Sequence, residues 1–251
     1  MNAIPKIVII SQTPEKNAEA EQLAQQLQLT YIEKADASHY PWALIQQPDR
    51  VALRFPGARQ PFSVDFLQGT YARRLLRVTT REPLARAFDL KDALKQGRRP
   101  KIIDGTAGWG SDAMLLAKLG AEVVAIERSP IVACLLQDGV QRAQQSGSLG
   151  KLDIQVLNHD SCNYLQSLED SSALIYLDPM FPKSPNSALV KKPLQLLQML
   201  LGEPQDENQL VTIALTKATR VDVKRPSWAE PLIRTPNFSI PAGVVRFDVY
   251  L

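Results

Sequence analysis

The chain of 251 residues is 45% hydrophobic with a formal net charge of +3, enough apolar material to bury one domain and a small appendage. No apolar run approaches the roughly 20 residues of a membrane span, and Met1 to Ile10 has a polar break and no cleavage-like signal, so a cytoplasmic protein with no membrane partner is expected. Two histidines and two cysteines without a Cys-x-x-Cys speak against a metal or a disulfide, and Cys134 and Cys162 are read as buried thiols.

Residues 6–10 form an apolar run of strand length, and Ala20, Leu23, Ala24 and Leu27 repeat at helical spacing before Tyr31. Val51 to Phe55 and Phe62 to Phe66 are strand-like and flank Pro56-Gly57, which predicts a hairpin. Residues 1–80 are assigned to this small N-terminal α/β unit and 81–251 to the main domain. Helical patterns follow from Leu67 to Leu76 and from Pro83 to Leu94. Charge concentrates there: residues 71–101 hold ten Lys or Arg against Glu82, Asp89 and Asp92, a net of +7 that leaves −4 elsewhere. Such a segment suits the phosphates of a nucleic acid, with Arg73, Arg74 and Arg77 as candidates; a solvated helix face is the other reading.

From Lys101 onward strands and helices alternate, the pattern of a parallel sheet with helices on both faces. Lys101 to Asp104 runs into a turn holding Gly105, Gly108 and Gly110, and the helical pattern Asp112 to Leu119 closes at Gly120. Gly108 and Gly110 let the backbone approach a ligand at a helix N-terminus, where Asp104 can reach a polar group. A second strand, Glu122 to Ile126, ends in Glu127, 23 positions after Asp104, where an acid can accept from both ribose hydroxyls. A nicotinamide dehydrogenase also uses a glycine turn and a downstream acid, but its G-x-G-x-x-G spacing is missing. The spacing D-x-x-x-G-x-G resembles the S-adenosylmethionine site of class I methyltransferases instead.

Ser129 is a plausible N-cap with Pro130 at the first helical position, and Gly147 ends that helix. The third strand, Ile154 to Leu157, leads to His159, Asp160 and Ser161; Asp160 serves either as a helix cap or as a cofactor contact. A fourth strand, Leu174 to Leu177, ends in Asp178-Pro179-Met180-Phe181-Pro182. The Asp178 carboxylate and the Pro179 carbonyl can accept hydrogens from a planar amine, and Phe181 offers a face for a base to stack on. Leu210 to Leu215 is expected as a fifth strand, and Ile240 with Val244 to Leu251 as a closing antiparallel hairpin. Lys217, Arg220, Lys224 and Arg225, with Trp228, make a second basic cluster, which reads as a nucleic-acid phosphate grip or as solvated loops. Trp109 reads as a lid or as core.

The words Asp104 to Ala113, Ile126 to Pro130, Tyr176 to Pro182, Ser187 to Lys192, Val223 to Pro226 and Arg246 to Tyr250 are similar to those of the RsmJ-type small-subunit (16S) ribosomal RNA guanine-N2 methyltransferases, and Val64 to Phe66 with Arg73-Arg74 extends the likeness. The resemblance implies a Rossmann-like class I methyltransferase sheet, mostly parallel with a C-terminal antiparallel hairpin. It implies S-adenosylmethionine as cofactor and 16S ribosomal RNA or the small ribosomal subunit as partner. Matching cofactor contacts are Asp104, Gly108, Gly110, Ser111, Asp112, Glu127, Arg128, Asp160, Ser161 and Asp178; Arg128 can equally be a surface ion pair. Asp178, Pro179 and Phe181 would carry direct methyl transfer to a guanine N2, and Arg73, Arg74, Arg77, Lys191, Lys192, Lys224 and Arg225 would hold RNA. Where many members read Lys-Gly-His-Arg-Phe-Asp, this chain has Ala242-Gly243-Val244-Val245-Arg246-Phe247-Asp248, a departure at the hairpin tip. An amino-methyltransferase of DNA adenine or protein, and a non-catalytic ribosome-assembly module, are the alternatives. Oligomeric state is not legible.

Overall fold

An apolar run without a polar break suits a strand covered on both faces, and Ile7–Ser11 (β1) is one, with all five residues buried. The computed structural model describes residues 5–169, 172–179, 192–201 and 207–251. α1 (Asn17–Leu27) buries Ala20 and Ala24, and β1 lies between β2 (Thr30–Tyr31) and β3 (Trp42–Gln46), parallel to both. β4 (Val51–Arg54) pairs antiparallel with β3 rather than with Phe62 to Phe66. The expected hairpin shrinks to one bridge, Leu53 to Phe62. Pro61 has no N–H for a longer ladder, and Asp65 accepts from the Leu67 and Gln68 N–H groups at 2.8 and 3.0 Å, turning the chain toward α2 (Gly69–Leu75). The single helix expected over Pro83 to Leu94 is split into α3 (Pro83–Ala87) and α4 (Leu90–Lys95) by Asp89, whose φ of 50° is left-handed.

The second sheet is built from β5 (Lys101–Asp104), α5 (Ser111–Lys118), β6 (Glu122–Glu127), α6 (Pro130–Ser146), β7 (Asp153–Asn158), α7 (Ser161–Gln166), β8 (Leu174–Leu177), α8 (Lys192–Leu201), α9 (Glu207–Lys217), β9 (Arg220–Pro226), β10 (Phe238–Ala242) and β11 (Val245–Tyr250). The strand order is β10-β11-β9-β8-β5-β6-β7, with β11 antiparallel to its neighbours and the other pairings parallel. The order reverses at β5, between β6 and β8, and a crevice opens outside the carboxyl ends of an open sheet at such a point. The fifth parallel strand is β9, not Leu210 to Leu215, which lies in α9. Its apolar run buries Leu210, Val211 and Ala214, the i, i+1, i+4 face of a helix. Conversely β9 carries Arg220, Asp222 and Lys224 on one face, with Val221 and Val223 buried on the other.

The N-terminal sheet docks on α6. Asp138 accepts from the Val51 N–H at 3.0 Å, and Arg142, paired with Asp138 at 2.8 Å, donates to the Val64 carbonyl. Gly139 has no alternative there, since a Cβ would sit 2.8 Å from the Val64 oxygen. Among the described residues, no helix is long and apolar enough to cross a membrane.

Candidate active site

Acids close three adjacent parallel strands, and the glycine turn draws two of them together. Asp104, at the end of β5, is 1% exposed and accepts from the Thr106 N–H at 3.0 Å. Burial, reinforced by Asp112 and Asp178 and opposed by that hydrogen bond, pushes its carboxyl up to about 8. Glu127, at the end of β6, accepts from the Gly108 N–H at 3.0 Å with one oxygen and from the Ser129 N–H at 2.8 Å with the other. Burial raises its pKa as well, against both bonds. The turn itself depends on Gly108 and Gly110, at φ of 51° and 75°. Ser111 then starts α5, and its carbonyl accepts from the Tyr71 hydroxyl of α2.

Two further positions flank this wall. Asp160 caps α7, accepting from the Asn163 N–H at 2.8 Å, and still lines the cleft, so the cap and the cleft position coincide. Ser161 is buried and donates to the Gly105 carbonyl at 2.6 Å, tying α7 to the glycine turn. Trp109 stacks at a tilt on Phe62, centroids 4.6 Å apart, and donates to the Pro193 carbonyl at 2.8 Å; it therefore fastens α8 to the turn.

Across the cleft, β8 places Tyr176 beneath Asp178. The Asp178 N–H donates to Thr106 Oγ1 at 2.6 Å, and its Oδ2 accepts from Lys224 Nζ at 2.8 Å. The same ammonium donates to Asp112 Oδ2 at 2.9 Å, and the Tyr176 hydroxyl donates to that oxygen at 2.7 Å. Burial raises the Asp178 carboxyl, Lys224 pulls it back, and Asp112 raises it again. The cleft holds about 670 Å³ and is lined by Asp104, Gly108, Ser111, Asp112, Glu127, Arg128, Asp160, Ser161, Asp178 and Pro179. Gly110 stands behind that lining, against Leu136.

The expected RNA contacts are scattered. Arg74 lines the cleft and pairs with Glu82 at 2.7 Å, while Arg73 and Arg77 are exposed on and just after α2. Lys224 and Arg225 do not form the exposed phosphate grip that their loop-like sequence suggests. Both lie on β9, where Lys224 serves two carboxylates and Arg225 is only 8% exposed and donates to the Glu230 carbonyl. Phe181, Lys191 and the Lys192 side chain lie outside the described residues. Thr106 and Tyr176 lie within the family words but are not singled out by them, and Tyr71 lies in none; the two-residue spacing of Tyr176 and Asp178 is the signal for a shared face.

The SAM-dependent methyltransferase family model matches residues 22–251. The ribosomal RNA small subunit methyltransferase J of Coxiella burnetii is 39% identical over 98% of this chain and 96% of its own. That of Tolumonas auensis is 38% identical over 98% of each chain. The chain belongs to the ribosomal RNA small subunit methyltransferase J family. A crystal structure of a SAM-dependent methyltransferase from Neisseria gonorrhoeae, 28% identical, superposes with a TM-score of 0.69 over 98% of this chain and 95% of that one. As a methyltransferase J family member the protein is a SAM-dependent enzyme, and its cleft fits the cofactor: Gly105 and Gly108, which carry no Cβ, line it ahead of the start of α5, beside two acid-ended strands.

Proposed function

We propose that this enzyme methylates the exocyclic N2 amine of a guanosine in 16S ribosomal RNA. The observation that carries the reading is Asp178: its carboxylate faces the cleft at the end of β8, tied by Oδ2 to Lys224, with Pro179 next in the lining. S-adenosylmethionine, when bound, supplies an electrophilic methyl group. Glu127 would hold its ribose, Asp160 and Ser161 its adenine end, and Asp104, Ser111 and Asp112 with the glycine turn its amino-acid end; Arg128 stands at the rim.

A guanine N2 lone pair is delocalised into the ring, so the nitrogen is a poor nucleophile until it pyramidalises. The Asp178 carboxylate and the Pro179 carbonyl favour that geometry by accepting its hydrogens, an effect of about 2–4 kcal/mol for comparable preorganised polar groups. Phe181 would stack on the base, which must leave any helix to enter. Holding both reactants in line supplies up to roughly 7–11 kcal/mol in well-oriented cases.

RNA docking is proposed for Arg73, Arg74 and Arg77, together with Lys191 and Lys192. Affinity for 16S RNA should fall steeply with salt. Replacing Arg73 and Arg77 by Ala should flatten the plot of log affinity against log salt by about 1–2, each phosphate contact contributing roughly 0.7–0.9, while cofactor affinity holds. A salt slope equal to that of the wild type would leave these two as solvated residues.

A further inference from the structure

We infer that Lys224 is a positioning residue of the methyl-transfer site: its ammonium fixes one oxygen of Asp178 and leaves the other to receive the target amine. The inference rests on the proposed role of Asp178 as acceptor of that amine.

The sheet dictates the placement. The register that sets Tyr176 beside Asp222 and Leu177 beside Val223 brings Lys224 level with Asp178 one step on. Lys224 Nζ then lies 2.8 Å from Asp178 Oδ2 and 2.9 Å from Asp112 Oδ2. Among the described residues Lys224 anchors the carboxylate along its Oδ2 edge and no donor reaches Oδ1. With a side chain only 23% exposed, Lys224 is spent on this pair rather than on a phosphate at the surface.

A neutral donor would not suffice. Asp112 and Asp178 accept from the same nitrogen, so without its charge two carboxylates would face each other across one gap, and like charges there favour protonation of one of them. Among the described residues, the titratable groups facing Asp178 are Lys224 from β9, Asp112 from α5, Asp104 from β5 and Tyr176 from β8, and Lys224 is the cation among these. Burial alone would lower the pKa of Lys224, but Asp178 and Asp112 outweigh it and hold the ammonium protonated. Lys224 thus opposes the burial and the Asp112 charge that favour the acid form of Asp178.

The test is the pH profile of kcat at saturating cofactor and RNA. Lys224→Met keeps the stem and removes the charge. Losing the cation raises the pKa of Asp178, so the ionised form needs a higher pH, and the acidic limb should move up by about one unit or more. The activity deficit should be roughly tenfold or greater at the acid end and shrink as pH rises. Lys224→Arg should return the limb toward wild type. Asp112→Asn, which removes a like charge and leaves Lys224 to Asp178, should move it down, and decides the matter if Lys224→Met does not fold. A limb unmoved in both Lys224→Met and Asp112→Asn overturns the inference. If Asp178→Ala is inactive while those limbs stay put, only the role of Lys224 falls. If Asp178→Ala keeps its turnover, the acceptor reading falls and takes this role with it.

Discussion

Asp178→Ala should cut methyl transfer by about 10²–10³-fold at saturating cofactor and RNA, the loss seen when one preorganised polar stabiliser is removed from a transition state. The fold should survive, because the side chain is a third exposed toward the cleft and Lys224 keeps Asp112 as a partner. Asp178→Asn should also be poor: an amide accepts more weakly than a carboxylate and presents its own NH₂ toward the incoming NH₂. Because Asp178 also borders the cofactor wall, single-turnover rates at saturating cofactor separate chemistry from binding. Turnover of Asp178→Ala near the wild-type level would reduce the turn to scaffold.

Gly110→Ala should be the most damaging small change in the cofactor wall. The residue sits at φ 75°, and an added Cβ would meet Leu136 Cδ1 at 2.3 Å, inside the packed core of α6. Left-handed strain of about 1–2 kcal/mol and overpacking of about 1–3 kcal/mol act together, and the turn that carries the Gly108 N–H would shift. Gly147 gives the control: its φ is 65°, but a Cβ added there would meet nothing within 4 Å. Gly147→Ala should therefore show the strain alone, with cofactor affinity unchanged, whereas Gly110→Ala should lower both the urea midpoint and the affinity. Equal losses in the two variants would show that backbone strain, not the close approach to Leu136, governs the turn.

Much of the geometry of this cleft wall was legible because its parts are local. A strand, an acid and a glycine turn are contiguous from Lys101 to Gly110, and the Ser129-Pro130 start and Gly147 end of α6 follow from capping chemistry, with Ser129 accepting from the Val132 N–H. The run Leu210 to Leu215 misled because a short apolar stretch has no period that separates strand from helix. β9 was hidden for the opposite reason: Arg220, Asp222 and Lys224 break the apolar pattern of a central strand, and one end of that face pairs with Asp112 and Asp178 in the cleft. Lys224 itself resembled a surface cation, since its partners Asp112 and Asp178 are distant in sequence and only the sheet brings them near. Trp42–Gln46 gained its place as β3 from pairing with β1, a long-range contact with no local signature.

The most direct measurement is mass spectrometry of nucleosides from 16S ribosomal RNA incubated with the enzyme and S-adenosylmethionine, with the position of the mark mapped by nuclease digestion. A single N2-methylguanosine is expected, absent from the same nucleotide in cells that lack the protein. Methyl groups on adenosine, on DNA or on protein, with guanosine left unmodified, would contradict the account.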